Sequence, residues 1–235
     1  MDWIASPEAW IALATLTALE LVLGIDNIIF ISILAGKLPE HQRQKARRAG
    51  LMLAAGSRLG LLFAISWIIG LTAPLFSAFG QEVSWRDLIL IGGGLFLIAK
   101  ATHELHQKLE GDSEHVGPGA GVTFMGVILQ ILILDVVFSL DSIITAVGMV
   151  DEIGIMITAV LVSIAFMLVF AGPIGDFVER HPTVKVLALS FLLMIGMVLI
   201  ADGFEQKIPK GYIYAAMAFS VFVELINLRT SRKKT

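Results

Sequence analysis

The chain has 235 residues, of which 57% are hydrophobic and only 16% charged, with a mean hydropathy of +0.85. Soluble chains average about 45–50% apolar and about 25% charged residues, so too few polar residues are present here to cover a globular surface, and the composition points to a polytopic membrane protein. The net charge of -3 gives no general affinity for nucleic acid, and zero cysteines exclude disulfides, Fe–S clusters, thiolate metal sites and cysteine nucleophiles.

The N-terminal MDWIASPEAW has no basic region before its apolar run, so it is not a cleavable signal peptide. A membrane-spanning helix needs about 20 apolar residues, and seven stretches qualify: about Trp10 to Gly36, Gly50 to Ala73, Leu88 to Thr102, Val122 to Val150, Ile153 to Ala171, Val184 to Ala201 and Gly211 to Leu228. None alternates in the manner of a transmembrane β-strand. The first connection, KLPEHQRQKARR, is basic. Together with the third connection, the fifth and the tail it holds 13 of the 17 Lys and Arg residues, whereas the opposite side holds Arg86, Lys207 and Lys210, with Arg58 inside the second span. The positive-inside rule then places the N-terminus outside and the C-terminus in the cytoplasm. The basic loop and tail read as a topology signal that also touches anionic lipid headgroups, rather than as a nucleic-acid site.

Within the first span, LTALELVLGIDNIIFI carries Glu20, Asp26 and Asn27; within the fourth, LQILILDVVFSLDSIITA carries Asp135, Asp141 and Ser142. A shift of 115 residues lays Glu20 on Asp135, Asp26 on Asp141 and Asn27 on Ser142. The third and sixth spans match through GLFLIAK and GMVLIAD, and the second and fifth through Pro74 and Pro173 just past their ends. The expected architecture is therefore all-α, with seven transmembrane helices in one membrane domain, 1–235. It contains a first three-helix repeat (9–102), a cytoplasmic linker (103–121), a second repeat (122–202) and a seventh helix (211–228). Three spans per unit is an odd number, so the second copy enters the membrane inverted, as in secondary transporters, whose substrate sites lie where the repeats meet.

Four carboxylates at mid-depth would destabilise the bundle by roughly 10 kcal/mol if left ionised and alone, so protons, a basic partner or a bound cation must offset them. Positions seven apart nearly superimpose on a helix, which puts Glu20 and Asn27 on one face and Asp135 and Ser142 on another. Gly24 and Ser139 are points where the helices could loosen and free backbone carbonyls as ligands. A single buried carboxylate reads most simply as an interhelical hydrogen bond; two matched pairs with an adjoining amide or hydroxyl read as an ion site. Its hard-oxygen ligands select Mn²⁺, Mg²⁺ or Ca²⁺ over copper or zinc.

Other polar residues carry two readings each. Arg58 is either a counter-ion to the carboxylates or a side chain snorkelling to the interface. Glu224 and Asn227, i and i+3 in the seventh span, either extend the ion path or pack. His103 and His106 beside Glu104 are a metal site at the cytoplasmic mouth or a solvated helix end. Asp176 and Glu179 in GDFVERHP read as loop structure that Arg180 pairs with. Trp3, Trp10, Trp67 and Trp85 fall near span ends as an interfacial belt.

The segments ELVLGIDNIIF (Glu20 to Phe30) and DVVFSLDSIITAVG (Asp135 to Gly148) resemble the acidic hallmarks of the TerC family of integral membrane proteins. The likeness continues through RDLILIGGGLFLIAK, IGDFVERHP, VKVLALSFL, PKGYIYAAM and VELIN, covering nearly the whole chain and resembling the short, membrane-only members. The resemblance implies a seven-helix, inverted-repeat cation exporter of the bacterial cytoplasmic membrane, since several members are implicated in manganese efflux. Tellurite, the source of the family name, is an oxyanion that an acidic site would repel. The expected function is Mn²⁺ export by alternating access, with the ion between Asp26/Asn27 and Asp141/Ser142, supported by Glu20 and Asp135. No nucleotide-binding motif is present, so proton exchange is the expected energy source. The rival is a non-transporting membrane scaffold or metal-delivery factor; an intramembrane hydrolase using the paired aspartates is weaker, so no enzyme is expected. Partners are the lipid bilayer and the metal ion, and a homo-oligomer or a membrane-protein partner is compatible with the sequence.

Overall fold

The structure, a computed structural model, describes residues 6–78, 80–110, 123–150, 152–206 and 208–231. Its elements are α1 (Pro7–Ala35), α2 (Glu40–Phe63), α3 (Ile65–Gly70), β1 (Pro74–Ala78), β2 (Gln81–Ser84), α4 (Trp85–Leu109), α5 (Phe124–Met149), α6 (Ile153–Arg180), α7 (Pro182–Gly203) and α8 (Lys210–Ser231). Helix starts follow local chemistry. The Ser6 hydroxyl accepts from the Ala9 N–H at 3.1 Å ahead of Pro7, and Thr123 does the same for Gly126 at 3.1 Å.

The chain is a polytopic helical membrane protein. Among the described residues, six helices are long and apolar enough to cross a membrane: Pro7–Ala35, Trp85–Leu109, Phe124–Met149, Ile153–Arg180, Pro182–Gly203 and Gly211–Thr230. The expected second span, Gly50 to Ala73, is not among them. Its apolar stretch is interrupted at Ala64, between α2 and α3, and continues only to Gly70. Conversely α2 starts at Glu40, so most of the basic connection is helical. Hydropathy marks hydrocarbon, but Glu, Gln, Lys, Arg and Ala are strong helix formers that extend a helix beyond it.

Further corrections share that reason. α4 continues to Leu109, so the first part of the 103–121 linker is helix, and the rest lies outside the described residues except Glu110. α6 runs through Pro173 to Arg180, making GDFVER helical rather than a loop. Proline removes only the bond to the Val169 carbonyl, and membrane helices tolerate this where neighbouring groups compensate. α1 and α5 stay continuous at Gly24 and Ser139. The all-α expectation also missed a small antiparallel hairpin, β1 with β2, which turns at Gly80 (φ +80) and joins α3 to α4.

Two compact units emerge. The first holds α1 to α3, the hairpin, α5 and α6. In it α2 packs on α5 and α1, and α1 on α5, around buried Ile28, Ile33, Leu34, Leu51, Leu62, Ile131 and Leu134. Small residues admit these approaches: a Cβ on Gly50 would lie 2.9 Å from Ile131 Cδ1. The second unit holds α4, α7 and α8. There Gly94 and Gly196 meet backbone to backbone, since a Cβ on Gly94 would lie 2.5 Å from the Gly196 carbonyl oxygen, and one on Gly196 2.9 Å from that of Gly94. Val198, Ile213 and Met217 cluster between α7 and α8.

Polarity runs opposite to that of a soluble domain. Exposed apolar side chains include Leu95, Leu129, Leu161, Val169, Phe219 and Phe222, while Glu20, Asn27, Arg47, Arg58, Asp135 and Asp141 are buried. Exposed apolar side chains in both units fit lipid contact. Trp10, Trp67 and Trp85 are more than half exposed, and Trp3 lies outside the described residues.

Candidate ion site

Three helices of the first unit converge on one guanidinium. Arg58 on α2 is 2% exposed, and its Nη1 donates to Glu20 Oε2 on α1 at 2.5 Å. Its Nη2 donates to Asp135 Oδ1 on α5 at 3.0 Å, and its Nε to Ser139 Oγ at 3.1 Å. Asp135 is served further: Oδ1 accepts from Asn27 Nδ2 at 3.2 Å, and Oδ2 from Ser57 Oγ at 2.7 Å and Ser139 Oγ at 3.3 Å. The helical period explains the assembly. Glu20 and Asn27 repeat at seven residues on α1, and Asp135 and Ser139 at four on α5, so each helix presents its polar atoms on one face.

Two carboxylates facing one guanidinium leave one formal negative charge in excess when both are ionised. A planar fork of five donors suits this task, because it can bind two acids and a hydroxyl at once. Beside Arg58 and Asp135 lies a cavity of about 10 Å³ that Asn27 and Met167 also line. That is roughly the room one water needs.

The other predicted residues fall elsewhere. Asp141 accepts from Arg86 Nη2 at 3.3 Å, near the end of β2, and the Ser142 hydroxyl donates to the Ser139 carbonyl at 3.2 Å. Asp26 lies on α1 beside Asn27, and its side chain is outside the described set. Glu224 is half-buried and Asn227 exposed on α8, in the second unit. His103 contacts Gln107 at 3.0 Å and His106 pairs with Glu110 at 3.3 Å, both along α4. Among the described residues no three His, Asp or Glu side chains group as metal ligands, because the acids are distributed over separate arginines.

Arg47 is the third of these, and the sequence reading assigned it only to topology. Asp176 and Glu179 pair with Arg47 rather than Arg180: Nη1 reaches Asp176 and Nη2 reaches Glu179, each at 2.7 Å. Burial alone would lower its pKa, but hydrogen bonds and charge from these two acids hold it above the ordinary arginine value. The spacing carried a signal. Arg47 and Arg58 are eleven residues, or three turns, apart on α2 and so share a face. Arg86, counted as an outside loop charge, gave no comparable signal.

The model of the integral membrane protein TerC family matches residues 5–235. The chain belongs to the TerC family. It is 55% identical to a UPF0053 protein of Haemophilus influenzae, over 98% of each chain. It is 54% identical to the UPF0053 inner membrane protein YgdQ of Escherichia coli, over 98% of this chain and 97% of that one. The UPF0053 protein YegH of Escherichia coli is also 54% identical, over 97% of this chain and 43% of the longer relative. No solved structure matches. In this TerC-family chain the segment ELVLGIDNIIF thus supplies Glu20 and Asn27, and DVVFSLDSIITAVG supplies Asp135 and Ser139, to one buried polar centre.

Proposed function

We propose that this TerC-family protein is a transporter of the bacterial inner membrane that exports a divalent cation, Mn²⁺ foremost, by alternating access. The observation that carries the reading is Arg58 seated between Glu20 and Asp135. A fixed internal cation holding two acids at the crossing of α1 and α5 is suited to exchange with a mobile one. An arriving Mn²⁺ brings two positive charges to a centre with one in excess, displaces the guanidinium, and meets only hard oxygens: the Glu20 and Asp135 carboxylates, the Asn27 carbonyl and the Ser57 and Ser139 hydroxyls. When the ion leaves, Arg58 returns and one of the two acids takes up a proton, which keeps buried charge compensated throughout the cycle. Asp141, paired with Arg86, serves as a second station toward the outside, and Asp26 as a further ligand next to Asn27.

The inverted-repeat reading supports this scheme. The glycines that open GLFLIAK and GMVLIAD, Gly94 and Gly196, are equivalent in the two repeats and touch each other, as residues near a pseudo-twofold axis do. In this reading seven helices cross the bilayer, with α2 and α3 together as the second, the N-terminus outside, and protons exchanged as the energy source. The relative YgdQ is named an inner membrane protein, in keeping with that location.

One observation favours the scaffold or metal-delivery alternative: the acids are already committed to arginines. Flux separates the two. Proteoliposomes containing only this protein, loaded with a Mn²⁺-quenched dye, should take up Mn²⁺, and Glu20→Gln, Asp135→Asn, Asp26→Asn and Asp141→Asn should each slow uptake at least tenfold. No uptake by the wild type would make the protein a scaffold.

A further inference from the structure

Away from the Arg58 centre, α2 and α6 enclose a cavity of about 550 Å³, within the range of roughly 300–1,000 Å³ that small-molecule sites occupy. Its two ends differ in chemistry. One is polar, lined by Arg43, Gln44, Arg47 and Arg48 with Glu40; the other is apolar, lined by Leu51, Leu168 and Val169. The acids Asp176 and Glu179 also reach this wall but are engaged by Arg47. The Arg48 and Gln44 side chains make no hydrogen bond or ion pair among the described residues; Arg43 donates its Nε to the Leu38 carbonyl at 2.9 Å, and its Nη1 stands 3.9 Å from Glu179. Arg47 is 7% exposed, and its Nε is buried without a partner. The apolar end opens outward along Val169 (68% exposed) and Leu168 (42% exposed).

We propose that this cavity binds the headgroup of an anionic phospholipid. The phosphate lies at Arg43 and Arg48 with Gln44 as a neutral donor, and an acyl chain runs over Leu168 and Val169. Among the described residues Arg48 has no acid partner and the Arg43 Nη atoms make no hydrogen bond, with Glu179 no nearer than 3.9 Å; two guanidinium groups with open donors beside one open carboxylate, Glu40, favour an anion over a zwitterion. Basic pockets between membrane helices recognise such headgroups. The apolar wall continuous with the lipid-facing surface selects an amphiphile over a free anion. Occupancy would brace α2 against α6 at the end where Arg47 already joins them. The site shares no polar residue with the Glu20, Asp135 and Arg58 centre, Leu51 alone lining both cavities, so it stands whether or not that centre moves a cation.

The test is lipid binding to the delipidated, full-length protein in neutral detergent, followed by native mass spectrometry and thermal unfolding. Phosphatidylglycerol should bind saturably and raise the melting temperature. Arg48→Glu should weaken that binding on the order of tenfold or more. Lys45→Glu, the same charge change at an exposed position outside the cavity, should leave it within about twofold, and Val169→Asp should weaken it by obstructing the chain. The proposal is overturned if phosphatidylethanolamine binds as tightly. It is equally overturned if inorganic phosphate competes as well as the lipid does, or if Arg48→Glu and Lys45→Glu behave alike.

Discussion

Removing Arg58 probes the buried centre most directly. The guanidinium is 2% exposed and reaches three acceptors on α1 and α5, two of them carboxylates whose side chains are 8% and 3% exposed. In Arg58→Leu the volume is roughly kept, but Glu20 and Asp135 face each other across a low-dielectric gap with only Asn27, Ser57 and Ser139 as donors. Breaking a buried pair by deleting one partner destabilises by about 3–5 kcal/mol. Arg58→Lys should fall between, because one compact ammonium cannot engage both acids as a fork does. The triple variant Arg58→Leu, Glu20→Gln, Asp135→Asn removes all three charges and should recover most of the loss, since apolar or neutral replacement of a whole buried network is often close to neutral. Thermal unfolding of the four purified proteins in one detergent measures the series. The reasoning is refuted if Arg58→Leu unfolds like the wild type, or if the triple variant is no more stable than Arg58→Leu.

Two further predictions test the packing. Gly94→Ala places a Cβ 2.5 Å from the Gly196 carbonyl oxygen and 2.7 Å from Ile200 Cγ1, so α4 and α7 must separate; destabilisation of about 1–3 kcal/mol is expected, and chemical denaturation reads it. For the Arg47 pairs, double-mutant cycles should give a coupling of about 1 kcal/mol with Glu179 and less with Asp176. The Asp176 side chain is 52% exposed against 30% for Glu179, and solvent screens the pair.

What the sequence determined by itself was whatever follows from composition and from periodicity along one helix. A chain with 57% hydrophobic residues has to place them in lipid, and the seven-residue spacing of Glu20 and Asn27 fixes that they share a face wherever α1 packs. Helix ends escaped the reading at α2, α4 and α6, because hydropathy reports the solvent a segment prefers and not where its backbone hydrogen bonds stop. Partnership was decided only by tertiary structure. Nothing local to Arg58 distinguishes a counter-ion from a snorkelling side chain; the choice follows from α2 packing against both α1 and α5, which brings Glu20, Asp135 and Ser139 within hydrogen-bonding reach and buries the guanidinium. The same holds for Arg47, a loop charge in sequence, which is buried because α6 continues past Pro173 and carries Asp176 and Glu179 to it. An ion pair is a relation between distant positions, so it exists only once the chain has folded.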